Sequence, residues 1–205
     1  MSFYDRWILP SLLDLVMQQR QLETHRRAVV PLARGRVLEV GIGSGLNLRL
    51  YSPNVERIFG LDPSDRLLSM ARRRSKQVAL PIELLQGSAT SIPLGDNSID
   101  AMVMTWTLCS IPDPLAALAE MRRVLRPGGT LHFVEHGLSP DLSVELWQRR
   151  LTPLWRHIAG GCHLDRKIDD LIRAADFDVS EVNAAYAEGP RPMAYTYRGR
   201  AVRPA

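Results

Sequence analysis

Apolar residues recur near helical spacing at the start of the chain, at Trp7, Leu12, Leu15, Val16 and Leu22. The pattern predicts a helical segment over residues 3–33 that stops at Pro31. Beyond Gly35 the period changes. Arg36-Val37-Leu38-Glu39-Val40 is short, apolar and β-branched and runs into glycine, which is how a buried strand reads. A helix is expected after the glycines. Arg57–Leu61 reads as a second strand ending at Asp62, followed by a helix over Ser64–Ser75 and strands at Ile82–Gln86 and Ile99–Thr105. Asp113-Pro114 opens another helix, since Asp caps free amides and proline suits the first helical position. Arg122, Arg123 and Arg126 complement its negative end, and Pro127-Gly128-Gly129 stops it before a fifth strand at Thr130–Glu135.

After Leu142, Trp147, Leu151, Leu154, Trp155 and Ile158 mark an amphipathic helix that Pro153 is expected to bend. A further helix is read over Arg166–Ala175. Two β-like segments close the chain, Phe177–Ala184 and Met193–Ala201, joined by a turn containing Gly189-Pro190. Strands alternating with helices imply crossovers and a parallel sheet, and a terminal hairpin implies an antiparallel last strand. One domain over 1–205 is expected, with residues 1–34 as a helical cap and 35–205 as the core.

The strand-loop-helix unit Val37–Asn47 carries the first chemistry. Gly41, Gly43 and Gly45 let the backbone turn tightly and approach a ligand, and the helix expected next would offer its positive N-terminus. The dinucleotide pattern G-x-G-x-x-G would require glycine at position 46, where Leu46 stands. Glu39 beside the loop disfavours a pyrophosphate and suits a ligand bearing an ammonium and a sulfonium, so S-adenosylmethionine is favoured over NAD. Asp62, with Pro63 after it, ends the second strand where an acidic residue accepts from ribose hydroxyls.

Charge and cysteine usage narrow the partners only a little. The net charge of +4 comes from arginine, Lys76 and Lys167 being the two lysines, and the Arg72-Arg73-Arg74 cluster lacks interleaved aromatics. It reads as a solvated helix face, and no nucleic acid is expected. Two cysteines distant in sequence, Cys109 and Cys162, argue against a disulfide framework and fit a reducing cytoplasm. The apolar stretch Trp7–Met17 is too short to span a bilayer and reads as packing over the site or resting peripherally on a membrane.

The motifs Glu39–Gly45, Gly60-Leu61-Asp62, Gly87–Thr90, Asp100 before the fourth strand and Arg123–Gly129 together resemble the class I S-adenosylmethionine-dependent methyltransferases over residues 35–201. The resemblance implies a Rossmann-like seven-stranded α/β sheet, mostly parallel with an antiparallel last strand and helices on both faces. It implies that Glu39, Asn47 and Asp62 serve the cofactor and that the Gly87–Ala89 turn, with Ser88 and Ala89, meets the adenine. Thr105, Trp106 and the loop bearing Cys109 would border the acceptor. Many relatives carry an acidic residue at position 88, and Ser88 offers only an uncharged hydrogen bond. A narrower resemblance, carried by Trp106–Ile111, Val134–Gly137 and Gly160–Arg166, is to small methyltransferase-like proteins whose animal members are membrane-anchored and methylate small alkyl thiols.

An activated sulfonium methyl requires alignment and exclusion of water above all. A thiol acceptor gains from a base, for which His136 is the first candidate and His163, beside Cys162, the second. Cys109 reads as a small buried hydrophobe. No metal site is expected, because His132 and His136, on one strand face, are separated by about 13 Å. Trp106, Trp147 and Trp155 are read as pocket walls or core. The expected function is methylation of a small apolar acceptor, a thiol foremost. The alternatives are methylation of a lipid, quinone or phospholipid amine at a membrane, RNA methylation, and cofactor binding without catalysis; no obligate protein partner is indicated.

Overall fold

The computed structural model describes residues 4–205, so residue 3 of the opening helical stretch lies outside the described residues. Among these residues seven strands form a sheet: β1 Gly35–Val40, β2 Val55–Asp62, β3 Ile82–Gln86, β4 Ile99–Thr105, β5 Leu125–His136, β6 Asp178–Tyr186 and β7 Tyr195–Val202. Their order is β3-β2-β1-β4-β5-β7-β6. The first five strands pair in parallel, and β7 inserts antiparallel between β5 and β6. The last two strands thus depart from the parallel set as the closing hairpin requires.

Successive residues of a strand point to opposite faces, and each face here is apolar. Leu38, Phe59, Met102, Leu131 and Phe133 pack one face against α4 (Pro114–Val124) and α6 (Ile168–Ala174). Val37, Ile58, Ala101, Val103 and Val134 pack the other against α2 (Arg20–Val29) and α3 (Asp65–Ser75). The helix starts follow their caps. Ser64 Oγ accepts from Leu67 N at 3.3 Å, and Asp113 Oδ1 accepts from Ala116 N at 3.0 Å ahead of Pro114.

Three expectations are corrected. The opening segment is broken into a π-helical turn, Tyr4–Ile8, leading into α1 (Leu9–Met17), and α2, which ends in a 3-10 turn, Val30–Leu32, with Gln19 extended between α1 and α2 at ψ 138°. Gln18 and Gln19 close α1 through Leu15 and Val16 carbonyls, and Arg26 of α2 donates to Met17 O at 2.6 Å, so the break folds α2 back across the sheet. No α-helix follows the glycine loop. Residues 41–54 form the crossover to β2 and contain one 3-10 turn, Leu48–Leu50, before Pro53. Finally, α5 (Leu142–Ile158) continues through Pro153 but buries Val144, Gln148 and Thr152, leaving Trp147, Leu154 and Ile158 outward. The face chosen is the one whose Gln148 bridges Ser139 N, Gly137 O and Pro192 O, which satisfies backbone that the apolar stripe could not.

Candidate active site

β1 and β4 are neighbours whose following strands run outward in opposite directions, so a crevice opens at their carboxyl ends, where ligands of open α/β sheets bind. Glu39, one residue from the end of β1, is 1 % exposed. Its carboxylate accepts from Asn47 Nδ2 and from Tyr51 Oη, each at 2.8 Å. Burial nevertheless pushes the carboxyl up to about 7, against these two bonds. Asn47 also donates to Thr105 Oγ1 at 3.1 Å, tying the loop to the end of β4, while its own Oδ1 is buried with no protein donor. A buried carboxylate beside an unpartnered amide oxygen suits a cationic head group.

The loop standing where a helix was expected uses its amides within the protein, Gly41 N and Ile42 N donating to Leu61 O and Gly45 N to Ile42 O. Gly41, Gly43 and Gly45 have φ of +72°, +55° and +83°, the left-handed region in which glycine carries no steric penalty. A Cβ on Gly41 would come 2.2 Å from Thr107 Oγ1, whereas one on Gly43 would meet nothing within 4 Å. Gly43 therefore borders open space. Its N–H donates to Asp62 Oδ2 at 3.0 Å, and Ser64 N donates to Oδ1 at 2.8 Å, orienting the carboxylate at the end of β2. Burial raises the Asp62 carboxyl against these two donors. Pro63 is exposed at the rim, and Gly87 N donates to Asp62 O at 3.2 Å, bringing the Ser88-Ala89 turn alongside. Ser88 Oγ is 2.7 Å from Thr90 Oγ1 and exposed, while Ala89 packs partly against the core.

Past β4 the backbone is strained. Trp106 holds φ +52°, rare for a bulky residue, with its N–H on Val134 O at 2.7 Å. Its ring lies 6.3 Å from His25 and 6.2 Å from His136, with the Arg26 guanidinium 5.5 Å from its centroid. Trp106 Nε1 and His25 Nδ1 are buried without protein partners. Of this ring's partners, sequence reasoning named His136 and missed His25 and Arg26. His25 and Arg26 sit on a helix read only as a cap, and their signal was two polar residues on the face that also carries buried Val29.

It also missed Glu135, buried at the end of β5, whose carboxylate accepts from Thr107 N at 2.8 Å and Cys109 N at 3.1 Å and is pushed by burial up to about 7. The signal was a carboxylate inside an apolar run. The two cysteines, distant in sequence, meet in the fold without forming a disulfide. Cys109 and Cys162 are both free, and their sulfurs are 3.6 Å from each other. His136 Nδ1 is 3.9 Å from Cys162 Sγ. Contact between the thiols holds Cys109 well above the usual thiol range and Cys162 below it. Cys109 is 1% exposed within a small apolar cluster with Cys162 and Leu164, in keeping with a small buried hydrophobe. His163 donates its backbone N–H to Cys109 O at 2.8 Å, but its ring is 3.7 Å from the Asp165 carboxylate. Trp155 packs beside the thiols with Leu164, whereas Trp147 is exposed.

A family model described as a methyltransferase domain matches residues 38–133. Thiol S-methyltransferase TMT1B of Rattus norvegicus is 34% identical over 174 residues, covering 82% of this chain and 70% of the relative. Phosphatidylethanolamine N-methyltransferase of Cereibacter sphaeroides is 36% identical over 137 residues, covering 65% of this chain and 66% of that one. The solved N-methyltransferase NodS of Bradyrhizobium japonicum WM9, in complex with S-adenosyl-L-homocysteine, superposes with a TM-score of 0.69 at 18% identity, covering 97% of this chain and 93% of that one. Among the described residues no helix is long and apolar enough to cross a membrane. With the glycine loop, the paired acidic residues and the reversed last strand in place, the chain belongs to the class I S-adenosylmethionine-dependent methyltransferases.

Proposed function

We propose that this methyltransferase acts on a small apolar thiol. The observation that carries the reading is the juxtaposition at the end of β4. There Thr105 is hydrogen-bonded to the Asn47 that holds Glu39, and the next residue, Trp106, faces His136 and His25. The relatives named for thiol methylation support the choice of acceptor.

S-adenosylmethionine, when bound, supplies a sulfonium methyl already activated for transfer. The chain's residues do the rest. Glu39 and the free Asn47 Oδ1 receive the cationic amino-acid end, and ionised Glu39 is favoured once a cation lies beside it. The amides of Gly43 and Ser64 keep Asp62 oriented to accept from the ribose hydroxyls. The Ser88-Ala89 turn borders the adenine, and Pro63 closes the rim. Trp106, held in its strained conformation, and His25 exclude water from the acceptor's side. His136 is the group positioned to assist loss of the thiol proton.

The test is incubation of purified protein with methyl-labelled S-adenosylmethionine and panels of small alkyl thiols, phospholipid vesicles and quinols. Labelled thioether from apolar thiols is expected; label appearing in lipid or quinol alone would overturn the thiol assignment.

The second reading, an acceptor presented at a lipid surface, is favoured by one feature. Leu15 of α1 and Leu142, Leu146, Trp147 and Leu154 of α5 are apolar and exposed, Leu142 to 76%. The phosphatidylethanolamine-methylating relative fits it too.

A further inference from the structure

We infer that Cys109, His136 and Cys162 form a three-ligand site for a zinc ion whose fourth position receives the sulfur of the acceptor. The inference deepens the thiol reading and rests on it for the fourth ligand only. The three-residue site stands on geometry of its own.

Each donor comes from a different element. Cys109 lies in the loop after β4, His136 ends β5, and Cys162 follows α5. Their donor atoms all lie within 4.8 Å of one another. Tetrahedral zinc with Zn–S near 2.3 Å and Zn–N near 2.0–2.1 Å places two sulfurs about 3.8 Å apart and a sulfur and nitrogen about 3.6 Å apart. The observed separations are 3.6 Å between the sulfurs and 3.9 Å from Cys162 Sγ to His136 Nδ1, and the third edge, Cys109 Sγ to the His136 ring, is within 4.8 Å, so an ion fits once the half-buried imidazole swings toward Cys109 by up to about 1 Å. Two thiolates neutralise the dication, which makes so buried a site tenable. Three protein ligands with an open fourth position is the catalytic form of zinc site, and Cys2His is one of its donor sets.

The surroundings hold these donors as an outer shell holds metal ligands. Glu135 takes the N–H groups of Thr107 and Cys109, fixing the loop that presents the first sulfur. Arg166 Nη1 donates to Leu108 O at 2.6 Å and Ile111 O at 2.7 Å, closing the same loop from the other side. His163 N on Cys109 O ties the second cysteine's segment to it. Gly161, at φ +88°, permits the approach, since a Cβ there would stand 3.0 Å from Ser110 O. Cys109 and Cys162 are almost wholly buried, whereas His136 is half-buried and faces Trp106, so the open position lies toward the acceptor's side.

The chemistry balances without a redox partner. The acceptor thiol binds zinc as thiolate and releases its proton to solvent, because a coordinating thiol is deprotonated outright. Its sulfur lone pair forms the new S–CH3 bond as the sulfonium C–S bond breaks, leaving S-adenosylhomocysteine. The neutral thioether product is a weaker ligand than the thiolate and leaves the ion. His136 in this scheme assists proton loss through the ion rather than by taking the proton itself.

Protein purified under reducing conditions, stripped with chelator and titrated with Zn2+ and Co2+ tests the site without reference to turnover. One ion per chain is expected, with a sulfur-to-cobalt charge-transfer band that changes when a small alkyl thiol is added. Cys162→Ala and His136→Ala should each weaken binding by more than the roughly 10–100-fold typical of losing an outer-shell partner. Calorimetry with S-adenosylhomocysteine verifies that each variant is folded, and should either fail this check, Cys162→Ser and His136→Gln take its place. No stoichiometric ion, a cobalt spectrum without sulfur character, or binding that survives both substitutions would overturn the site. Undiminished thiol methylation by metal-free protein would overturn the zinc role and leave the thiol acceptor standing. Metal binding without methylation of any thiol would instead remove the acceptor assignment alone.

Discussion

The two halves of the crevice are built on different principles. On the β1–β2 side, the groups proposed to meet the cofactor come from adjacent strand ends and one loop, residues 39–47 and 62–64, whose glycines hold positive φ. On the β4–β5 side the groups come from α2, the ends of β4 and β5, and the segment after α5, and only the folded chain brings them together. The first half is a local motif that any acceptor chemistry can share. The second is a tertiary assembly, and specificity is expected to reside there.

The largest effect that separates the halves is expected from Asp62→Ala. It removes the ribose-facing carboxylate and leaves the N–H groups of Gly43 and Ser64 without their acceptor. Charge-assisted hydrogen bonds contribute about 1.5–3 kcal/mol each, so affinity for S-adenosylhomocysteine should fall at least about 100-fold by calorimetry. Metal uptake at Cys162 should be unchanged; a parallel loss there would show that the halves are one cooperative unit.

pH acts on both halves at once but in ways that can be separated. Glu39 and Glu135 each hold their proton up to about 7 when folded, against an ordinary value of about 4.5 in the unfolded chain. The folded chain therefore binds more protons than the unfolded chain between these values, and stability of the ligand-free protein should fall as pH rises from about 4.5 to about 7, by up to about 3 kcal/mol for each group. Scanning calorimetry across that window checks the sign. S-adenosylhomocysteine affinity should rise over the same window, by at most about tenfold per unit, and level off above it. Glu39→Gln should flatten the rise and Glu135→Gln should not.

Trp106→Ala is expected to act on one half alone. Losing one wall of the acceptor space should raise the thiol KM about tenfold, in line with 1–2 kcal/mol for a partly buried aromatic contact, with cofactor affinity within about twofold. An equal loss of cofactor affinity would mean that the strained Trp106 backbone supports Thr105 and Asn47 as well.

The same contrast explains what could be read from the chain before folding. The strands at 82–86 and 99–105 were legible residue for residue, because each is an apolar run bounded by turn residues. The places of Glu39, the glycines and Asp62 at the ends of β1 and β2 were legible because that pattern depends on spacing along the chain. The helix after Gly45 was not, because periodicity says nothing about how few residues remain before β2 must begin; the crossover settles for one 3-10 turn. The Cys109–His136–Cys162 cluster was invisible for a different reason. Its members are 27 and 26 positions apart in sequence and meet across three elements, so no spacing along one strand reveals them. All three lie within the short segments that carry the narrower resemblance, so those segments marked one place in space.

The smallest expected effect concerns the outer face of α5. Leu142 and Leu146 are exposed, whereas the helix is anchored by buried Val144 and Gln148 and by the packing of Leu151 and Trp155 against the cysteine cluster. Leu142→Gln with Leu146→Gln should therefore change folding stability by less than about 0.5 kcal/mol per site, as surface substitutions do. The same pair provides a sensitive reading of the acceptor half. If the outward leucines serve to rest the open side of the crevice on lipid, sedimentation with anionic vesicles should be lost in the double variant, while methylation of a water-soluble thiol stays at the parent rate. A fall in stability well beyond that limit would mean that the leucines pack against the protein and that the lipid-surface reading lacks its supporting face.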